Sequence, residues 1–132
     1  RHDSTAAEVV LDLRKGYPAV PGLKTLERSF RYRFADGETV IADTAELVQP
    51  ETFEVALITF GIIEKQPDGS LLAKYGTSAV RIEVNTSGVP WTLKKEALSG
   101  NASWRDQPWR YAVVPEGKRT SWKIEMTFRS VK

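Results

Sequence analysis

The apolar and polar positions of this chain alternate with a short period almost throughout. From Leu26 to Phe34, Leu26, Phe30, Tyr32 and Phe34 share one parity, and Glu27, Ser29, Arg31 and Arg33 share the other. Successive side chains of a strand point to opposite faces, so this alternation predicts a half-buried strand. "ADGE" follows, and Asp36-Gly37 suits a tight hairpin turn because glycine tolerates positive φ. "TVIA" then returns as the partner strand. "QPDG" at Gln66–Gly69 predicts a second hairpin turn into "SLLAKY", and "AVRIEV" alternates Val80, Ile82 and Val84 with Arg81 and Glu83. "WRYAVV", the turn "PEGK" and "WKIEMTF" predict a closing hairpin with Trp122, Ile124, Met126 and Phe128 on its inner face.

Three stretches break the simple alternation. Val9, Leu11 and Leu13 are apolar against Asp12 and Arg14, which reads as a strand. A helix competes there, since Thr5 to Glu8 fits a capping box and Gly16 suits a helix end; the β-branched Val9 and Val10 favour the strand. "GYPAVPG", Gly16 to Gly22, predicts a rigid loop. "FEVALITFGII", Phe53 to Ile63, is apolar on both parities after Glu54, which predicts one strand covered on both faces. Val55, Leu57 and Ile63 cannot share a core face with Ala56, Ile58, Phe60 and Ile62. The second set is either covered within the domain, by the Gly16–Gly22 loop or another segment, or docks against a separate domain. Exposure of Ile58, Phe60 and Ile62 is expected only in the second case.

"TSGVP" and "NASWRDQP" read as loops, and "TLKKEALSG" as one or two helical turns. The expected fold class is therefore all-β: an antiparallel β-sandwich of about eight to nine short strands. Residues 1–132 read as a single domain. The chain opens at Arg1 without a methionine, so it also reads as a piece of a larger multidomain protein.

Composition narrows the function. The chain has 132 residues, 41% hydrophobic and 27% charged, ordinary for a globular domain. A formal net charge of +2, with no basic arm, does not point to nucleic acid. There is no cysteine, which excludes disulfides and thiolate chemistry, and no apolar run long enough to span a membrane. The single histidine is His2, at the terminus. A Ser-His-Asp or Cys-His system and a histidine-based metal site are disfavoured, and no phosphate-binding or dinucleotide fingerprint occurs. Asp36, Asp43, Asp68 and Asp106 lie at turns or strand ends, where carboxylates usually cap. No catalytic residue, metal or cofactor is expected.

The order "VVLDLRKGYP", "LERSFRYRFADGETVIADTAEL", "FEVALITFG" resembles the C-terminal β-rich part of heparinase II/III-like polysaccharide lyases. The positions that carry the resemblance are Leu11-Asp12-Leu13, Tyr17-Pro18, Arg28, Asp43 and Phe53 to Gly61, within Val9 to Tyr75. These lyases pair a helical toroid with β-sheet domains and cleave uronic-acid-containing polysaccharides by β-elimination. The resemblance implies an accessory β-sandwich of such an enzyme, periplasmic or secreted, whose partners are an acidic polysaccharide and the catalytic domain of the same protein. No position here matches the family's tyrosine and histidine catalysts, so this chain alone is expected to be inactive.

Six side chains are candidate glycan contacts. Trp104, Arg105, Trp109 and Arg110 fall in one loop-to-strand segment, where an exposed indole can cover a pyranose face. Arg31 and Arg33 carry guanidinium forks suited to carboxylate or sulfate; their plainer reading is a solvated strand face. Trp122 is assigned to the core, and Trp91 is left open. Two other readings stand beside the lyase domain: a freestanding carbohydrate- or protein-binding β domain, and a small β-barrel for an apolar ligand.

Overall fold

Alternating side chains form strands wherever the pattern predicts them, and tertiary pairing decides how those strands assemble. The computed structural model describes residues 3–98 and 108–131. They form β1 (Ala6–Asp12), β2 (Leu23–Arg33), β3 (Thr39–Glu51), β4 (Val55–Thr59), β5 (Ile62–Lys65), β6 (Leu71–Tyr75), β7 (Ser78–Asn85), β8 (Trp91–Ala97), β9 (Trp109–Pro115) and β10 (Arg119–Val131). One sheet has the order β1-β2-β3-β10-β7-β6-β5 and the other β4-β9-β8. Every pairing is antiparallel. The fold class read from the sequence holds. The described residues form ten strands rather than eight or nine, and β3 and β10, at 13 residues each, are not short.

The "ADGE" and "QPDG" turns make the β2–β3 and β5–β6 hairpins as expected. Gly37 and Gly69 adopt the positive φ these turns require, 73° and 88°. Asp68 accepts from both the Ser70 N–H and its hydroxyl, which closes the second turn.

Three expectations fail, each because pairing is not written in the local pattern. "FEVALITFGII" is not one strand. β4 belongs to the small sheet and β5 to the edge of the large one, and the chain crosses between them at Phe60-Gly61. Ile58, Phe60 and Ile62 are 68%, 50% and 52% exposed, so the run is not covered on both faces. The closing segment is not a hairpin: β10 has β3 and β7 on its two sides, which leaves β9 to pair with β4 and β8 across the sandwich. "TLKKEAL" is not helical, because its residues pair in register with β9 along all of β8; tertiary pairing overrides helix propensity. The barrel alternative falls with the topology, since two separate sheets face each other and β1 and β5 end the larger one.

The main core fills the space between the sheets. Val55, Tyr111 and Val113 of the small sheet meet Ile63, Leu71, Ile82, Ile124 and Met126 of the large one. A second cluster joins Leu26, Ala45, Leu47 and Trp122. Trp122 is core, as its parity predicts: it stacks on Phe53 with centroids 6.1 Å apart, and its Nε1–H donates to the Glu51 carbonyl at 2.9 Å.

The sheets do not match in width. Trp91 of β8 lies toward β5, with the Lys65 ammonium 4.0 Å from its ring centre. β4, at the other side of the small sheet, faces β2 and β3 across a cleft. Past β4, the inner face of β1–β2–β3 forms a wing on which Val9, Leu11 and Tyr32 are exposed. The aromatic parity of β2 is thus only partly inward. Leu26 is buried and Phe30 half-buried, while Tyr32 and Phe34 lie open and pack edge to face, with centroids 5.9 Å apart.

Candidate functional site

The cleft under β4 is built by register. β2 places Arg28 opposite Asp43 of β3, and β10 places Ile124 on the other side of Asp43. Arg28 shares the parity of Leu26 and Phe30, so it points inward. Its Nε and Nη2 donate to the two Asp43 oxygens at 2.6 and 2.8 Å. Asp43 is only 3% exposed. The hydrogen bonds that Arg28 donates to Asp43 hold its guanidinium above its ordinary pKa, against the opposing effect of desolvation. The cleft has a volume of about 630 Å³ and is walled by Tyr17 and Val20 of the loop, by Leu26, Arg28 and Asp43, and by Glu54, Val55 and Arg110.

The chemistry of this cleft is restrained. Both guanidiniums are already clamped: Arg28 by Asp43, and Arg110 by Glu54 at 2.6 Å with Glu96 at 3.4 Å. Against those two cations stand the carboxylates of Asp43, Glu51 and Glu54, so an anionic sugar gains no net attraction inside. Among the described residues, no three or more His, Asp or Glu gather where a metal ion could be held.

Arg31 and Arg33 occupy the opposite, outer face. Arg31 is exposed and stands across from Glu8 of β1 in register. Arg33 is tied to Asp36 at 2.5 Å and to Glu38 at 3.3 Å. Glu38 also accepts from Arg129 at 2.7 Å, and Arg129 bonds Glu83 at 2.7 Å. The result is a ladder of alternating charge from β2 and the β2–β3 turn to β10 and β7, with three carboxylates to two guanidiniums. Of the two candidate arginines, Arg31 lies outside it. The hydrogen bond from Arg33 holds the Asp36 carboxyl well below its ordinary range, helped by the Glu38 N–H.

That depression has a sign and a window. A carboxylate with a lowered folded pKa contributes stability above its unfolded pKa, about 3.9, and loses it as pH falls through the folded value. Asp68, lowered mainly by the Ser70 hydroxyl and N–H, and Glu96, lowered mainly by Lys94, behave alike. Carbon-detected NMR titration is expected to show all three carboxyls with midpoints below those of the same residue types in the unfolded chain. Arg33→Gln is expected to return Asp36 toward its ordinary range and leave Asp68 unmoved. An Asp36 midpoint unaffected by that substitution would refute the ladder.

The aromatic–arginine segment is only partly described. Trp104 and Arg105 lie outside the described residues. Trp109 is half-buried in β9 and packs against the main core, with the Lys95 ammonium 4.2 Å from its ring centre. Arg110 points to the other face, where register aligns Ile58, Arg110 and Glu96 across the small sheet. Trp109 and Arg110 are neighbours in sequence but lie on opposite faces. The sequence reading missed Arg28–Asp43 as a pair, although an arginine on the apolar parity of β2 was a visible signal. Trp91, left open by the sequence, is half-buried against the core beneath Lys65.

No family profile matches this chain, and no curated protein sequence does. Solved structures do. A crystal structure of heparinase III superposes with a TM-score of 0.69 at 9% identity, and covers 98% of this chain and 20% of its own. A second heparinase III structure, with methylated lysines, gives 0.66 at 15% identity with the same two coverages. At such identities the likeness is one of fold. The chain spans about a fifth of the length of each of these proteins.

Proposed function

We propose that this chain is an accessory, non-catalytic β-sandwich of a heparinase II/III-like polysaccharide lyase that acts on uronic-acid-containing glycans outside the cytoplasm, in the periplasm or secreted. The observation that carries the reading is the superposition of nearly the whole chain on one fifth of heparinase III. It is supported by the exposed Ile58, Phe60 and Ile62 at the sheet crossing, where a lone domain leaves apolar surface that a larger protein would cover. No helix among the described residues is long and apolar enough to cross a membrane. Catalysis belongs elsewhere in the parent protein, since this chain has no histidine beyond His2. Its glycan contact is weak and peripheral, centred on Trp104, Arg105, Trp109 and Arg110, with Arg31 and Arg33 as a secondary face. Exposed stacking and ion pairing contribute about 1–3 kcal/mol together, which corresponds to millimolar affinity or weaker.

The test follows formation of unsaturated uronate by absorbance on heparin, heparan sulfate and alginate. The full-length protein is expected to turn over at least one of them, and the 132-residue chain none. NMR titration of the chain with acidic oligosaccharides is expected to move the Trp109 indole and Arg110 signals first. Turnover by the chain alone would end the non-catalytic reading, and shifts confined to the wing would remove the aromatic segment as the contact.

A further inference from the structure

The four strands that end the two sheets are β1 and β5 in the large one and β4 and β8 in the small one. Natural edges are guarded by charge, proline or a cover, because a bare edge recruits another strand. β1 carries Glu8 and Asp12, β5 carries Glu64 and Lys65, and β8 carries Lys94, Lys95 and Glu96. β4 reads Val-Ala-Leu-Ile-Thr, with no charge and no proline. In a strand paired on one side only, alternate N–H and C=O groups point away from the partner, here away from β9. They point toward the cleft, beyond which lies the wing with its exposed Val9, Leu11 and Tyr32.

We infer that β4 is an acceptor edge, to which an extended segment from the remainder of the parent polypeptide adds and carries the small sheet out over the wing. The inference rests on the reading of this chain as one domain of a larger lyase. Strands in a sheet sit about 4.8 Å apart and facing sheets about 10 Å apart, so a strand added to β4 lies at core distance above β2. Its own alternation follows: apolar side chains turned down onto Phe30, Ile41 and Tyr32, and polar ones turned out, with main-chain bonds giving affinity. The source is the same polypeptide because this fold fills only a fifth of the heparinase III chains that share it. A second copy fits poorly. Antiparallel pairing of two β4 strands about a two-fold axis keeps both large sheets on one side, and each wing projects past its own β4 into the other's large sheet.

Hydrogen exchange, read residue by residue, tests this on the 132-residue chain and on the full-length protein. In the chain alone the alternate β4 amides that do not bond β9 are expected to exchange as freely as loop amides. In the full-length protein the same amides are expected to slow at least 100-fold, with Tyr32 losing reactivity to a phenol-directed reagent. Equal exchange in the two proteins overturns the inference. So does protection that arises in the chain alone, with concentration and a dimer mass, because the occupant is then a second copy. An active lyase whose β4 amides stay free keeps the lyase reading and loses only the added strand; a protected β4 in an inactive parent does the reverse.

Discussion

Replacing Arg28 with methionine is expected to cost about 3 kcal/mol of folding stability, more than any surface charge of this chain. Methionine keeps most of the aliphatic stem that packs along the cleft, so the loss isolates the charge. What remains is Asp43, 3% exposed, flanked in register by Ile124 and stripped of both guanidinium bonds. Removing one partner of a buried pair costs about 3–5 kcal/mol because the survivor is left uncompensated. The lower end applies here, since the cleft is open on one side and water reaches Arg28, whose side chain is 31% exposed. Asp43→Asn is expected to cost less for the same reason: it strands the wetter member. Joining Arg28→Met with Asp43→Leu should recover most of the loss, and a double-mutant cycle by urea unfolding measures the coupling. A loss under about 1 kcal/mol at pH 7 would place the pair among ordinary surface bridges.

Arg28 also marks the boundary of what the sequence could tell. The strands themselves were legible, because alternation of apolar and polar residues is dictated by the pleat and needs no partner to be read. The two Asp/Gly hairpins were legible for a similar reason, since Gly37 and Gly69 satisfy a local backbone demand. Trp122, Ile124 and Met126 were placed correctly on the inner face of β10. What failed was pairing. "PEGK" looks the same whether the chain turns back on itself or crosses to another sheet, and only the occupation of both sides of β10 decides. The aromatic parity of β2 could not announce that the covering sheet stops at β4 and leaves Tyr32 in the open. The candidate contacts fared similarly: Arg33 was read as a fork suited to carboxylate or sulfate or, more plainly, as part of a solvated strand face, and Asp36, three residues on, clamps it. Arg28 was visible as a charge on an apolar parity, and Asp43 as a carboxylate on the next strand. Joining them needed the hairpin register, which "ADGE" supplies.

A glycine inside an apolar run was the missed signal for the sheet crossing, and it leads to the second large effect. Gly61→Ala is expected to cost about 3 kcal/mol, near the upper end for forcing atoms into a packed site. The φ of Gly61 is not the reason, since it is not among the positive ones. The constraint is space. A Cβ built on Gly61 would lie 2.2 Å from the Lys74 carbonyl oxygen, 3.0 Å from its carbonyl carbon and 3.2 Å from the Tyr75 Cβ. The first two are backbone of β6, so no rotamer change can relieve them. The chain must pass this close because β5 begins at the next residue, with Ile62 already paired to Lys74. Thr59 fixes the approach from the other side, its hydroxyl accepting from the Gly61 N–H at 2.9 Å. An added methyl therefore either opens the start of the β5–β6 ladder or pulls β4 off the core, and both routes disturb Val55 or Ile63. For a chain of this length a 3 kcal/mol loss lowers the melting temperature by about 10 °C. Gly16→Ala is the internal control: nothing lies within 4 Å of a Cβ there and its φ is unrestrictive, so its effect should stay within about 0.5 kcal/mol. Thermal melts of the two variants side by side decide the matter. If Gly61→Ala melts with Gly16→Ala, the crossing is loose, and close backbone approach is not what holds the two sheets in register at this corner.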